Sequence, residues 1–248
     1  SKARWTDEEM PLTFLSKAKD FIETNKRNPF LLYYTLTEPH VPRMPSTMFK
    51  GKSELGYRGD AILQLDWTVG EIMKQLDYLG IAKNTIIIFS SDNGPVLDDG
   101  YQDEAVAKLN GHKAAGELRG GKYSLFEAGT RVPFIVSWQG KTKQAVSDAL
   151  LSQVDLFRSF STMLNVKLQQ SDASDSEDML NVMLGKSTKG RTVLVEQGMG
   201  TLAIVQGNWK YIEPNDGPAM DSYTNTELGN NQQPQLYDLS VDIGEKNN

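Results

Sequence analysis

Three short segments of this chain carry side chains that could do chemistry. Ser90-Ser91-Asp92-Asn93-Gly94-Pro95 follows directly on an isoleucine-rich run. Asp92 and Asn93 there offer a carboxylate and an amide oxygen, hard donors of the kind Ca²⁺ or Mg²⁺ takes. The same pair at the end of a strand is equally at home in an Asx turn. In Glu38-Pro39-His40-Val41-Pro42 an imidazole is braced between two prolines. It reads either as a proton donor near neutral pH or as a loop histidine with a backbone partner. In Leu118-Arg119-Gly120-Gly121-Lys122 the glycines permit close approach of a ligand and Lys122 is a point charge for an oxyanion. The alternative is a solvated lysine in a glycine turn, and the spacing is not that of a Walker loop. Taken together, a metal pair, an acid and an anion-binding cation suit hydrolysis of a charged oxyester.

The elements that must hold these segments are legible from periodicity. Residues 7–25 read as a helix with Pro11 in its first turn and Phe14, Ala18, Phe21 and Ile22 on one face. Phe30-Leu31-Leu32-Tyr33-Tyr34-Thr35 reads as a buried strand and residues 38–56 as a loop. A second helix is expected over 60–79, with Gly80 at its C′ position. Thr85-Ile86-Ile87-Ile88-Phe89-Ser90 is then a second strand, so that strand, helix and strand form a parallel βαβ unit. Residues 94–121 lack periodicity and read as a long ordered loop of functional kind. A third strand over 132–138 and a third helix over 151–164 follow. Residues 171–178 form an acidic, serine-rich surface loop. Beyond it, Thr192-Val193-Leu194-Val195-Glu196, Leu202-Ala203-Ile204-Val205, Lys210-Tyr211-Ile212 and Gln235-Leu236-Tyr237-Asp238-Leu239 read as a small antiparallel sheet, with Gln206-Gly207-Asn208 as a hairpin connection.

Composition narrows the chemistry. The chain has 248 residues, 39% hydrophobic and 23% charged, with net charge -6. That is one large or two small globular domains, and a mildly acidic chain without a basic cluster argues against nucleic acid as a partner. An anionic membrane is argued against in the same way, and no apolar run reaches the length of a bilayer span. There are no cysteines and only two histidines, His40 and His112, which excludes thiolate and multi-histidine metal centres within these residues. Ser1-Lys2-Ala3-Arg4-Trp5 has no apolar leader core, and a start at Ser suggests that something has been removed upstream.

Pro39-His40-Val41-Pro42, Gly56-Tyr57-Arg58-Gly59-Asp60, Leu65-Asp66, Val69-Gly70, the run from Asn84-Thr85 to Pro95 and residues 118–133 resemble the sulfatase family in order and spacing. Leu236-Tyr237-Asp238-Leu239 with Asp242, Gly244-Glu245 and Asn247-Asn248 resembles the family's closing strand. The resemblance implies an α/β class: the C-terminal half of an alkaline phosphatase-like three-layer α/β/α sheet, then a small antiparallel sheet with a packed helix. Residues 1–145 would belong to the catalytic domain and 146–248 to a C-terminal α+β subdomain. It further implies that Asp92 and Asn93 are two Ca²⁺ ligands. Lys122 would hold the sulfate and neutralise the leaving oxygen, and His40 would contact the sulfate and protonate the leaving alkoxide. His112 would border the substrate pocket or lie on a surface loop. Asp66 is expected to be buried and structural, and Arg131 to pair with an acidic neighbour such as Glu127.

The sequence also departs from the family. Members use a formylglycine made from Cys or Ser in a Cys/Ser-x-Pro-x-Arg motif, and this chain has neither a cysteine nor that serine motif. The expectation is therefore a sulfuric ester hydrolase whose nucleophile is supplied by an N-terminal half, with these residues alone neither turning over sulfate esters nor holding Ca²⁺ tightly. The alternatives are a phosphoester or phosphonate hydrolase of the same superfamily, against which Asn93 argues because a second metal would want histidine there, and a non-catalytic remnant that binds a sulfated ligand. A sulfate-ester small molecule or sulfated glycan would be the partner. A periplasmic, secreted or lysosomal setting follows only from the resemblance.

Overall fold

The computed structural model describes residue 4, residues 6–169 and residues 171–248. Ser1, Lys2, Ala3, Trp5 and Gln170, and with them most of the stretch read for a leader, lie outside the described residues. The chain divides into two compact units. The first runs to Thr85 and takes in Val96–Ala114; the second comprises Ile86–Pro95 and Ala115–Asn248. No described helix is long and apolar enough to cross a membrane.

The first unit is built on two helices. In α1, Met10–Asn25, Pro11 sits in the first turn and Pro11, Leu15, Ala18 and Ile22 form the buried stripe. Phe14 and Phe21, expected on that face, remain about two-fifths exposed. α2, Gly56–Tyr78, packs beside α1, and Lys19 Nζ reaches Glu71 at 2.6 Å. α2 begins a turn before the expected residue 60. Asp60, 2% exposed, lies inside its first turns and accepts the amides of Gly51, Lys52 and Ser53 at 2.8, 3.0 and 2.7 Å. Asp60 thus folds the preceding loop onto the helix. Asp66, expected to be buried, is exposed, because it falls on the opposite face from Ala61, Gln64 and Thr68. The helix ends as expected: Gly80 has φ +70°, and Ile81 N–H donates to the Leu76 carbonyl at 3.0 Å. A single 3-10 turn, Ala82–Asn84, follows.

The expected strand over 30–35 forms no ladder among the described residues. An aromatic, apolar run favours an extended segment, but a strand also needs a partner, and Leu31 and Tyr33 stand 75% and 87% exposed. The parallel βαβ unit is corrected accordingly. In the second unit β1, Ile86–Ser90, pairs antiparallel with β2, Phe134–Trp138, in the register Ile86↔Trp138 to Ser90↔Phe134. The long connection between them returns the chain beside its own strand, carrying the one-turn helix α3, Glu127–Thr130.

After α4, Asp155–Met163, and α5, Leu180–Met183, the expected antiparallel sheet forms. It consists of β3, Val193–Gly198; β4, Thr201–Gln206; β5, Trp209–Ile212; and β8, Gln235–Asp238, in the order β3-β4-β5-β8. The pair β6, Met220–Asp221, and β7, Thr226–Glu227, lies in the connection before β8. Gly207 supplies the positive φ, +58°, that the β4–β5 turn requires. Alternation on β4 and β5 sends Ala203, Val205 and Ile212 inward, where they meet Leu125, Phe126, Tyr237 and Leu239. Leu125 and Ile212 are 0% exposed, each contributing about 1.5–3 kcal/mol of burial. The segment that enters α3 is therefore nailed to the sheet by its own apolar side chains.

Candidate functional site

The antiparallel pairing of β1 with β2 puts two loops at one end of the ladder: 91–95 leaving β1 and 127–133 entering β2. Ser90 Oγ donates to the Pro133 carbonyl at 2.9 Å. Gly94 N–H donates to the Gly129 carbonyl at 3.0 Å. A third loop joins them, since Lys122 N–H donates to the Pro95 carbonyl at 2.9 Å and Ala128 N–H to the Arg119 carbonyl at 2.9 Å. The glycines explain how closely these backbones pass. A Cβ on Gly94 would lie 1.6 Å from the Ala128 carbonyl oxygen, and one on Gly121 would lie 2.5 Å from that of Pro95. Neither position tolerates a side chain without parting the loops.

The structure thus brings together the loops that carry Asp92, Asn93 and Lys122. Asp92 is exposed and Asn93 half-buried, its Nδ2 donating to the Gly94 carbonyl at 3.0 Å. Lys122 is half-buried with its ammonium 5.2 Å from the centre of the Tyr123 ring. Tyr123 holds φ +76°, a left-handed conformation costly for an aromatic residue and common at ligand clamps. His40 and His112 belong to the first unit. His40 is exposed and its Nδ1 lies 2.7 Å from the Val41 carbonyl. A carbonyl can only accept, so in this contact Nδ1 is the donor. His112 lies exposed on its loop, its amide donating to the Leu109 carbonyl at 2.8 Å.

Asp92 and Asn93 have the oxygen chemistry that Ca²⁺ accepts. Among the described residues no group of three or more His, Asp or Glu gathers as a metal site, and Ca²⁺ takes roughly six to eight oxygens. The pair fits as part of a ligand set and falls short of a whole one.

Beneath these loops lies a charge cluster that sequence reading missed in all but one pair. Lys210 on β5 is 0% exposed, with Nζ 2.9 Å from Glu127, 3.0 Å from Glu196 and 3.7 Å from Glu245. Glu127 also takes the Arg131 guanidinium, the pairing expected from the sequence. Glu245 Oε2 accepts the Glu127 amide at 2.6 Å. The Glu245 carbonyl accepts Arg119 Nη1 at 2.7 Å. Arg119 in turn pairs with Glu227 at 2.8 Å and stacks 4.0 Å over Phe126. Burial pushes the Glu245 carboxyl up to about 7 against the pull of Lys210, with Glu127 and Glu196 adding to the rise. Burial also raises Glu127, yet Lys210 and Arg131 outweigh it and hold that carboxyl below its ordinary value. Burial lowers Lys210, and Glu196, Glu127 and Glu245 together overcome it, so its ammonium is held more tightly than usual. One signal could have found Lys210: it shares the inward register of β5 with Ile212, where an apolar residue is due.

A sequence profile described as "Sulfatase" matches residues 7–166. An N-acetylgalactosamine-6-O-sulfatase of Bacteroides thetaiotaomicron is 55% identical over 99% of this chain and 48% of its own length. An N-acetylgalactosamine-6-sulfatase of Mus musculus is 33% identical over 79% of this chain and 37% of its own. The chain therefore spans about half the length, or less, of these relatives. A solved chain from work on glycosaminoglycan metabolism by Bacteroides thetaiotaomicron superposes with TM-score 0.97, at 55% identity over 99% of this chain and 52% of that one. A sulfatase structure from Pseudoalteromonas sp., 23% identical over 97% of this chain and 48% of that one, shares the fold at TM-score 0.79. Mixed helix and antiparallel sheet in these relatives and in this chain is the α/β, alkaline phosphatase-like class expected from the sequence.

Proposed function

The chain belongs to the sulfatase family, and from that premise we propose that it is the C-terminal half of a hydrolase of sulfate esters on glycans, with the 6-sulfate of an N-acetylgalactosamine unit as substrate. The observation that carries the reading is the 55% identity to an N-acetylgalactosamine-6-O-sulfatase over 99% of the chain. The knitted loops bearing Asp92, Asn93 and Lys122 support it. Residues 1–145 form part of the catalytic domain and 146–248 a C-terminal subdomain.

Lys122 binds the sulfate and offsets charge that develops on the oxygen between sulfur and sugar as that bond breaks. His40, protonated at Nε2, delivers a proton to the departing alkoxide, so the sugar leaves as an alcohol. His112 borders the sugar-binding surface. Asp92 and Asn93 supply two oxygen ligands to a Ca²⁺ ion, which would polarise the sulfate when bound. A formylglycine encoded outside these 248 residues supplies the nucleophile.

The test replaces the matched part of the 55% identical relative with this chain and measures sulfate released from N-acetylgalactosamine 6-sulfate. Release is expected, and Lys122→Ala should abolish most of it. A hybrid that is folded by its melting curve yet releases no sulfate overturns the reading, as does turnover by the 248 residues alone.

A further inference from the structure

We propose that Lys210 and Glu245 are positioning residues for the loops that carry Asp92, Asn93 and Lys122. Lys210 anchors Glu127 at the start of α3, and Glu245 ties the Glu127 amide to the Arg119 guanidinium. The argument follows the contacts. Lys210 Nζ grips Glu127 at 2.9 Å. Residues next to Glu127 hold the Gly94 amide and receive the clash-limiting approach of Gly94. Arg119, fixed by the Glu245 carbonyl, offers its own carbonyl to Ala128. Both pillars thus bear on the same three loops.

The cluster has more carboxylates than cations. Glu245 faces Lys210 on β5, Glu196 on β3, Glu127 with its Arg131 on α3, Arg119 in the loop before α3, and Tyr237 on β8. Glu245 Oε1 and Glu196 Oε2 are both buried, and neither makes a hydrogen bond of good geometry although the Lys210 ammonium lies 3.7 and 3.0 Å away. A proton held on Glu245 removes one negative charge from this enclosure and adds a donor where two carboxylate oxygens share one ammonium. Losing that proton leaves three buried carboxylates around a single fully buried ammonium. The least costly relief is local opening of segment 243–248, which would let the carboxylate hydrate. That opening releases Arg119 and the Glu127 amide, and with them the three loops.

Amide hydrogen exchange on the 248-residue chain, corrected for intrinsic rates, tests this without reference to activity. Protection at Gly94, Lys122 and Ala128 should fall about tenfold between pH 6 and pH 8, one pK unit in free energy. Protection at Val205 in the sheet should hold. Glu245→Gln mimics the protonated form, keeps an acceptor for the Glu127 amide, and should flatten the trend. Lys210→Met should lower protection of the same loops at every pH, with Lys210→Arg restoring part of it. An unchanged pH trend in Glu245→Gln, or a loss shared equally by Val205, overturns the proposal. The activity arm rests on the sulfatase reading: in the hybrid, Glu245→Gln should extend the alkaline limb of kcat while leaving KM within twofold. A hybrid with no activity would sink that reading and leave the exchange result standing.

Discussion

Each unit buries a cation, and the two solve the problem differently. In the first, Arg43 has a side chain 2% exposed and spreads its fork over one carboxylate and three carbonyls. Asp103 lies 2.6 Å away, and the carbonyls of Pro39, Leu97 and Val96 lie at 3.1, 3.1 and 2.9 Å. Arg58 adds a second guanidinium, 6% exposed, whose Nη1 is buried without a hydrogen-bond partner. Burial, then the neighbouring Arg43, lowers its proton affinity, with Asp103 opposing. Around Asp103 two guanidiniums therefore face one carboxylate, whereas around Lys210 three carboxylates face one ammonium. A guanidinium keeps its charge throughout the neutral range. Three carboxylates around one ammonium leave Glu245 holding a proton that neutral pH can remove. The same problem yields a pH-indifferent brace in one unit and a pH-sensitive one in the other.

The sharpest way to break the comparison is Lys210→Met, which leaves Glu196 and Glu245 without their cation and Glu127 with Arg131 alone. Urea unfolding should show a loss of about 4 kcal/mol at pH 7.5, and a loss below about 1 kcal/mol would mean the cluster is hydrated. Arg43→Met should cost less, about 3 kcal/mol by the same measurement, because Arg58 remains at hand for Asp103 while three carbonyls go unpaired. Third comes pH itself. A carboxyl raised to about 7 in the folded chain holds its proton where the unfolded chain, near 4.5, has lost it. Stability should therefore fall as pH rises from about 4.5 to about 7, by on the order of 3 kcal/mol. Calorimetry at matched ionic strength should find that slope in the parent chain and lose it in Glu245→Gln. The smallest effect belongs to Arg58→Met. Removing a buried guanidinium whose Nη1 lacks a partner should change stability by less than about 1 kcal/mol, in either direction, and a loss as large as that of Arg43→Met would show that Arg58 shares the brace.

Periodicity and local chemistry made much of this legible. The Asp92-Asn93 and Lys122 loops, the Gly80 helix end, the Gly207 turn and the strands of the C-terminal sheet all follow from signals carried within a few residues. What escaped depended on partners far along the chain. Residues 30–35 have the pattern of a strand, yet pattern cannot name a neighbour, and β1 found β2 instead. Asp66 and Asp60 are both carboxylates on one helix, and only the fold of loop 51–53 shows which one receives its amides. Lys210 and Glu245 lie 35 residues apart in the numbering and meet only because β5 and the segment after β8 converge on α3. Local sequence describes each charge as solvated until that convergence is known.

Gly94 has a last implication. Its hydrogen atom sits where any larger group would strike the Ala128 carbonyl. On the sulfatase reading, a screen of the hybrid for inactive variants should therefore return position 94 as often as Lys122, although a glycine offers no group that could bind, ionise or react.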